Sequence, residues 1–270
     1  MDAIAPATKP GLWVLGTDTG VGKTRVSCLV LGALRRQHPG LRLAPFKPAA
    51  TGCDWVDGGW SNQDAEALRI HSGTDLPHEV VCPLRYELPL APAVAAQRLG
   101  GFGDGWDRLS GALSQLQASA DFVVAEGVGG VLVPIDPGDT RTPPITALDL
   151  AARLGWPAVV VARPSLGTLN HTALTVGRLR GAGVPVLGVV VHAMPQGEAA
   201  RAEDPSLEDN AAWLERLAGA PVLAVTPRLD PAPAPLASIE DDDPQLRVMA
   251  DVDWLSLAAQ GDGRGVSAES

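Results

Sequence analysis

Largely apolar runs of four to six residues alternate with stretches of helical periodicity along most of the chain. Such runs, rich in valine and poor in aromatic residues, are typical of strands buried on both faces of a parallel sheet. The predicted strands are Leu12–Gly16, Leu41–Phe46, Asp121–Glu126, Ala158–Ala162, Val186–Val191 and Val222–Val225. The predicted helices are Gly22–Gln37, Asn62–Ser72, Pro89–Leu99, Trp106–Ala120, Leu148–Leu154, Thr168–Gly181 and Leu207–Leu217. The alternation predicts an α/β fold with a doubly wound, mostly parallel sheet.

The pattern also predicts how the chain is divided. Residues 1–10 contain two prolines and no apolar run, so we expect a flexible N-terminal arm. Residues 11–229 form a single predicted domain, and residues 230–270 a C-terminal extension rich in proline and aspartate that is partly disordered. Within the extension, Asp251–Ala259 is compatible with a short helix, whereas Gly261–Ser270 is polar and is predicted to be disordered.

Composition narrows the class of protein. The net charge of −10 disfavours binding to nucleic acid or to an anionic membrane, because no basic surface exists to attract either one. No window approaches the roughly 20 apolar residues of a membrane span, and we expect no signal peptide at the N-terminus. The three cysteines are widely separated, which is typical of a reducing cytoplasm and gives no zinc-binding pattern. We therefore expect a cytoplasmic protein.

The first predicted strand leads into a candidate phosphate-binding loop, Gly16–Thr24, with the sequence G-T-D-T-G-V-G-K-T. Between a strand and a helix, such a loop directs successive N–H groups and the helix N-terminus at a polyphosphate. Lys23 can reach the β- and γ-phosphates, and the Thr24 hydroxyl can bind Mg²⁺. Five residues, instead of the usual four, separate Gly16 from Gly22, so the loop is a longer variant. The fold class is therefore predicted to be of the P-loop NTPase type, with ATP as co-substrate.

Three charged residues are candidates for the site, and two of them lie at or just beyond the carboxyl ends of strands, where this fold places its sites. Lys47 follows the second strand in a proline-rich loop, Glu126 ends the third strand before several glycines, and Asp64 lies in the first turn of a helix. Each also has an ordinary interpretation: a surface lysine, a carboxylate at a turn, and an acid favoured by the helix dipole.

Together these segments resemble one family, the dethiobiotin synthetases. The resemblance rests on G-T-D-T-G-V-G-K-T (16–24), K-P-A-A-T-G (47–52), N-Q-D (62–64), E-G-V-G-G (126–130) and L-G-T-L-N-H-T (166–172), in matching order. It implies that 7,8-diaminopelargonic acid, CO₂ and ATP give dethiobiotin, ADP and phosphate, in biotin biosynthesis. The reaction passes through a carbamate and a carbamic–phosphoric anhydride.

The resemblance also implies roles for individual residues. Lys47 and Lys23 are the expected catalytic residues, and Thr24, Asp64 and Glu126 the expected Mg²⁺ ligands. The expected nucleotide-binding residues are Gly20, Val21, Gly22, Lys23, Thr24, Arg25, Asp64, Glu126, Gly127, Val128, Gly129, His192, Ala193, Pro227, Arg228 and Leu229. The expected substrate-binding residues are Thr19, Thr51, Gly167, Thr168, Leu169 and Asn170. In the family, the turn at Gly167–Asn170 receives the substrate carboxylate from the neighbouring subunit, so a homodimer is implied.

One position departs from the family pattern. After the strand Val186–Val191 the family often has an asparagine that recognises the adenine edge, whereas this chain has His192-Ala193. A neutral imidazole offers one donor and one acceptor and cannot copy the paired hydrogen bonds of an amide. The hypothesis is that selectivity for the base is weak, or that backbone near Pro227–Leu229 holds adenine.

Three other classes of protein fit the sequence less well. A partitioning or septum-placement switch ATPase shares the G-V-G-K-T ending, but it carries a signature lysine where this chain has Asp18. A corrin-ring amide synthase would need a glutamine-hydrolysing domain, and no region of the sequence resembles one. A catalytically inactive homologue is disfavoured by the presence of Lys23, Thr24, Lys47 and the two carboxylates.

Overall fold

The computed structural model describes residues 4–233 and 239–261. Over these residues the core is a six-stranded sheet in which every neighbouring pair of strands is parallel. Its strands are β1 (Gly11–Gly16), β2 (Leu43–Phe46), β3 (Phe122–Glu126), β4 (Ala158–Ala162), β5 (Val186–Met194) and β6 (Val222–Pro227). The order across the sheet is β6-β5-β4-β1-β3-β2, which confirms the doubly wound, parallel α/β prediction.

Both faces of the sheet are buried, which explains the unbroken apolar runs. In β1, Leu12 and Val14 belong to the core on one face, while Trp13 and Leu15 belong to the core on the other face. All four side chains are at most 2% exposed. Because successive side chains in a strand point to opposite faces, a strand between two layers of helices has no polar face.

Helices cover the two faces of the sheet. The face that buries Leu12 and Val14 is covered by α1 (Lys23–Gln37), α2 (Gln63–Ser72), α10 (Pro244–Ala250) and α11 (Trp254–Gly261). The other face is covered by α3 (His78–Val81), α4 (Pro92–Arg98), α5 (Gly105–Ser119), α6 (Ala147–Leu154), α7 (Thr168–Gly181) and α9 (Asn210–Ala218). The short α8 (Glu198–Glu203) buries none of its residues.

The ends of some helices differ from the sequence prediction for local reasons. Asn62 caps α2 as predicted, since its side chain accepts hydrogen bonds from the N–H groups of Asp64 and Ala65. The predicted helix Pro89–Leu99 begins only at Pro92, a residue that suits the first turn because it has no N–H to leave unpaired. The predicted helix Leu207–Leu217 is divided into a 3₁₀ turn, Pro205–Leu207, and α9.

Three small two-stranded ribbons were not predicted. Ala49–Thr51 pairs with Leu84–Tyr86, Asp54–Val56 with Gly59–Ser61, and Pro134–Asp136 with Ile145–Thr146. Each strand has only two or three residues, which is too short for alternation to be recognised in the sequence.

Both ends of the described chain pack against the body. Ile4 and Ala7 are each 1% exposed, and the Ala7 N–H donates to the carbonyl of Leu154, so these two residues of the expected flexible arm are packed against the body. In the C-terminal extension, Met249 and Trp254 are fully buried in the core beside α1. Residues 239–261 therefore share that core, and α10 was missed by sequence reasoning. The disorder predicted for Gly261–Ser270 falls, after Gly261, outside the described residues.

Across residues 4–233 and 239–261, no helix is both long and apolar enough to cross a membrane.

Candidate active site

The site forms where the carboxyl ends of three neighbouring strands meet. The phosphate-binding loop follows β1, Lys47 follows β2, and Glu126 is the last residue of β3. In the parallel register Val14 lies beside Glu126, and Phe46 beside Ala125. Residues far apart in sequence are therefore adjacent at one edge of the sheet, which is where ligands bind in this class of fold.

The phosphate-binding loop presents backbone N–H groups instead of side chains. Gly22 precedes α1 with a φ of 92°, in the left-handed region that favours glycine. It offers no capping side chain, so the first N–H groups of α1 are available to an anion. A Cβ added at Gly22 would also lie 2.0 Å from Cδ2 of His192, so glycine is required here for space as well as for conformation.

Lys23 is folded back onto the loop. Its Nζ donates a hydrogen bond of 2.7 Å to the carbonyl of Asp18, and the residue is only 7% exposed. Burial lowers the pKa of Lys23 to about 8, and the charge of Lys47 adds to this effect, while Glu126 opposes it. A nearby anion would favour the charged ammonium.

The charged groups form one cluster around Glu126. Glu126 Oε1 accepts hydrogen bonds from Lys47 Nζ at 2.5 Å and from the Thr24 hydroxyl at 2.8 Å. Asp64 Oδ2 lies 3.3 Å from Lys47 Nζ, and its side chain is partly exposed. Burial alone would lower the pKa of Lys47, but the charges of Glu126 and Asp64 outweigh burial and raise that pKa above its ordinary value. Lys47 is therefore a buried ammonium ion.

One oxygen of this cluster has no hydrogen-bond partner among the described residues. Glu126 Oε2 is buried, and nothing donates to it. Buried carboxylate oxygens are normally paired, so an unpartnered one beside the Thr24 hydroxyl and Asp64 fits a cation with oxygen ligands. No group of three or more His, Cys, Asp or Glu residues suited to a metal occurs in residues 4–233 and 239–261. Mg²⁺ bound here would take its other ligands from phosphate and water.

Two cavities open from this cluster, and Thr24 and Asp64 line both. The larger, of about 750 Å³, is also lined by Thr19, Gly20, Gly22, Lys23, Lys47, Thr51, Asn62, Glu126, Gly127, Val128 and Gly129, with Pro89–Pro92 along one side. The smaller, of about 270 Å³, is also lined by Arg25, Cys28, His71, His192, Ala193, Arg228, Leu229, Ala232, Pro233 and Gln245. A triphosphate would fit beside Thr24 and Asp64, where the two cavities adjoin, with one cavity on each side of it.

His192 is held in one protonation state in the wall of the smaller cavity. Burial, together with the charge of Arg25, lowers its pKa to about 4, so the ring is neutral at pH 7. The buried Thr226 hydroxyl accepts from the Ala193 N–H and lies 2.8 Å from His192 Nδ1. A buried hydroxyl needs an acceptor for its own proton, so we assign the Thr226 hydroxyl as the donor and His192 Nδ1 as the acceptor. The ring hydrogen is then on Nε2.

Not every residue expected at the site lines a cavity. Val21 is buried in the apolar core, and Pro227 contributes through its carbonyl, which accepts from Gln245. Gly167–Asn170 lies apart from both cavities: Gly167, with a φ of 92°, precedes α7 and has no capping side chain, and Asn170 is exposed.

Several residues of the site were missed by sequence reasoning. Thr226 orients His192, Arg163 forms an ion pair with Asp18 of the loop, and Gln245 lines the smaller cavity. Only Thr226 had a signal in the sequence, since it follows an apolar strand whose carboxyl end faces the site. Gln245 lies more than 200 residues beyond the loop, and no local pattern relates them.

Curated proteins of similar sequence are dethiobiotin synthetases. A family model described as an AAA domain matches residues 10–235. The chain is 44% identical over 217 residues to an ATP-dependent dethiobiotin synthetase BioD of Anaeromyxobacter dehalogenans (strain 2CP-C), covering 80% of this chain and 89% of that one. It is 37% identical over 236 residues to the protein of the same name from Cellvibrio japonicus, covering 87% and 96%.

Solved structures of similar fold come from other classes of ATPase. A ParA family ATPase from Chlorobium tepidum aligns with a TM-score of 0.53 at 12% identity, over 90% of this chain and 96% of that one. The MinD cell division protein of Aquifex aeolicus aligns with the same TM-score and identity, over 97% and 100%. At such low identities the likeness shows the fold alone.

Proposed function

The chain belongs to the ATP-dependent dethiobiotin synthetase family, and on that premise we propose that it closes the ring of dethiobiotin. The reaction consumes 7,8-diaminopelargonic acid, CO₂ and ATP and yields dethiobiotin, ADP and phosphate, in biotin biosynthesis. The observation that carries the proposal is the buried Lys47–Glu126 pair, which lies beside the phosphate-binding loop and lines the larger cavity. A nucleotide-binding protein without synthetic activity would not require a buried ammonium at that point.

The triphosphate would bind along the loop. The N–H groups of Gly20–Thr24 and the start of α1 offer partial positive charge, and Lys23 adds a full charge near the β- and γ-phosphates. Lys23, now bonded to the Asp18 carbonyl, would turn to the phosphate when nucleotide enters. Arg25 and the backbone of Gly127–Gly129 border the same space.

Mg²⁺ would be held by Thr24, Asp64 and Glu126. All three residues line the larger cavity, Thr24 and Asp64 also line the smaller one, and Glu126 Oε2 has no hydrogen-bond donor among the described residues. When bound, the ion neutralises negative charge on the β- and γ-phosphates. Lys47 Nζ lies 2.5 Å from Glu126 Oε1 and 3.3 Å from Asp64 Oδ2, so one ammonium holds both carboxylates beside the cation site.

Lys47 is placed to act on the chemistry itself. One amine of the substrate forms a C–N bond to CO₂ and loses a proton, giving a carbamate. A carbamate oxygen then bonds to the γ-phosphorus while the bond to ADP breaks. The second amine attacks the carbonyl carbon, releases phosphate and closes the ring. Lys47 and Lys23 would stabilise the negative charge on the carbamate and on the transferring phosphoryl group.

The substrate would lie in the larger cavity, and its carboxylate would reach a second subunit. Thr19 and Thr51 line that cavity and can bind the diamine end through their hydroxyls. The start of α7, at Gly167–Asn170, is a suitable carboxylate site but lies outside the cavities of its own subunit. Leu166 and Leu174 beside it are 81% and 65% exposed, which favours burial against a second copy in a homodimer.

The nucleoside would occupy the smaller cavity, next to His192. With Nδ1 engaged by Thr226, the ring offers only the Nε2 hydrogen, a single donor. Purines and pyrimidines all carry an acceptor on an edge, so one donor discriminates poorly among them. The backbone at Arg228–Leu229 borders the same cavity and can contact the base without selecting one base over another.

The proposed activity is tested by measuring phosphate release. Purified protein supplied with Mg²⁺, ATP and bicarbonate should release phosphate when the diamine is added and only slowly without it. Mass spectrometry should find dethiobiotin in an amount equal to the phosphate. ATP hydrolysis that does not depend on the diamine would contradict the assignment.

Replacing Lys47 by methionine should separate binding from chemistry. Lys47→Met keeps most of the buried volume but removes the ammonium, so kcat should fall about 10²- to 10³-fold while ATP affinity changes little. Steady-state kinetics and calorimetric titration with ATP measure the two effects. Lys9→Met, outside both cavities, is the control and should behave as the wild type. A fully active Lys47→Met protein would rule out the proposed role.

A shared site predicts complementation between two inactive variants. If Lys47 and Asn170 come from different subunits at each site, co-expressed Lys47→Met and Asn170→Ala chains should form mixed dimers with one intact site. Activity should then exceed that of either variant alone. Lys47→Met paired with Thr51→Val should stay inactive, because both residues line the same cavity of one subunit. Equal activities for the two mixtures would argue against a shared site.

The single donor of His192 predicts weak selectivity for the base. Values of kcat/KM for ATP, CTP and GTP should lie within about tenfold of one another, because one hydrogen bond contributes roughly 0.5–1.5 kcal/mol. The comparison uses the same diamine and bicarbonate concentrations throughout. A preference for ATP of several hundredfold would show that another group recognises adenine.

A further inference from the structure

One side chain of the C-terminal extension joins two walls of the smaller cavity. Gln245, in the first turn of α10, is 2% exposed and lines that cavity. Its Oε1 accepts a hydrogen bond of 2.8 Å from Arg25 Nε, and its Nε2 donates one of 2.7 Å to the Pro227 carbonyl. Arg25 follows the phosphate-binding loop, and Pro227 ends β6, so one amide links the loop side to the opposite wall.

A second contact fixes this arrangement. The Arg25 guanidinium forms an ion pair with Asp243, and both side chains are largely buried. Asp243 also caps α10, since its other oxygen accepts from the N–H groups of Gln245 and Leu246. Hydrogen bonds that involve a charged group are stronger than neutral ones and hold their geometry closely. Arg25, Asp243 and Gln245 therefore form one rigid unit at the edge of the cavity.

The wall held by this unit faces the space assigned to the base. Arg228, Leu229, Ala232 and Pro233 line the smaller cavity directly after Pro227. The Arg228 N–H is bonded to the carbonyl of Met194 in β5, and the Gln245–Pro227 bond joins the same wall, through Gln245 and Arg25, to α1. Without the hydrogen bond between Gln245 and Pro227, the cavity wall after Pro227 could move away from the phosphate-binding loop, while the loop itself kept its conformation.

We propose that Gln245 is a positioning residue that sets the width of the nucleoside pocket and thereby the affinity for the nucleotide. This inference rests on the proposed function, because it assigns the smaller cavity to the nucleoside of ATP. It gives the C-terminal extension a role in substrate binding: α10 is a structural part of the pocket as well as of the core.

A matched variant separates this role from general stability. Gln37 ties the same end of the chain to α1, because its Nε2 donates to the carbonyls of Ala250 and Val252, each at 2.9 Å. It lies outside both cavities. Gln245→Leu and Gln37→Leu each remove two hydrogen bonds between the body and the C-terminal extension, but only Gln245→Leu frees a wall of the cavity.

The experiment measures binding of two probes by calorimetry in the presence of Mg²⁺. ADP fills the loop and the nucleoside pocket, whereas inorganic tripolyphosphate fills the loop alone. Gln245→Leu should raise the Kd for ADP about tenfold and leave the Kd for tripolyphosphate unchanged. Gln37→Leu should change neither Kd, although the two variants lose similar amounts of Tm. In the full reaction, Gln245→Leu should raise KM for ATP with kcat nearly unchanged.

Each outcome decides the inference independently of the reaction. An ADP Kd close to that of the wild type, or an equal loss for both probes, would overturn it. So would an equal effect of Gln37→Leu on ADP binding. If Gln245→Leu does not fold, Gln245→Glu replaces it, since glutamate still accepts from Arg25 but cannot donate to Pro227, and the same rise in Kd is expected. Because no probe requires the diamine, failure of the proposed reaction would be seen separately.

Discussion

The active site depends on a buried ion pair, in which one ammonium group and one carboxylate are shielded from water. The side chains of Lys47 and Glu126 are 5% and 1% exposed, and burying a charged group is costly unless it is paired and hydrogen-bonded. Their direct hydrogen bond stabilises both. The Thr24 hydroxyl completes the link to the phosphate-binding loop by donating to the same oxygen. A change to either partner would remove the Lys47–Glu126 hydrogen bond from the other, so the two residues act as a unit.

The parallel sheet makes this pairing possible, because it brings the ends of β1, β2 and β3 side by side. The order of the strands inserts β3 between β1 and β2, so Glu126 lies between the loop and Lys47. The apolar strands below exclude water from the pair, and the same exclusion lowers the pKa of Lys23. Glycine at position 22 then lets the loop pass close to His192. The reactive end and the nucleoside end of the site are therefore parts of one packed arrangement.

Much of this could be predicted from local sequence, and the remainder depends on contacts that local patterns do not encode. Strands buried on both faces leave a clear apolar signal, and the loop has a recognisable glycine-lysine-threonine ending, so β1 and α1 were predicted and the three charged residues were proposed from the sequence. Short ribbons such as Asp54–Ser61 have too few residues for periodicity. Helix α10 was missed because its proline and acidic surroundings suggested an irregular tail, whereas its burial depends on Leu246 and Met249 packing against α1. The link from Gln245 to Arg25 is purely tertiary.

The same fold serves switch ATPases, so the distinction from a synthetase must come from the site. The solved ParA and MinD structures share the architecture at 12% identity, and shared architecture does not determine chemistry. A partitioning ATPase is expected to carry a lysine at position 18, whereas this chain has Asp18, whose carbonyl holds Lys23. Positive charge for the transferring phosphoryl group would instead come from Lys47, within the same subunit and already paired. In the proposed homodimer, the partner subunit contacts the carboxylate of the substrate and takes no part in the phosphate chemistry.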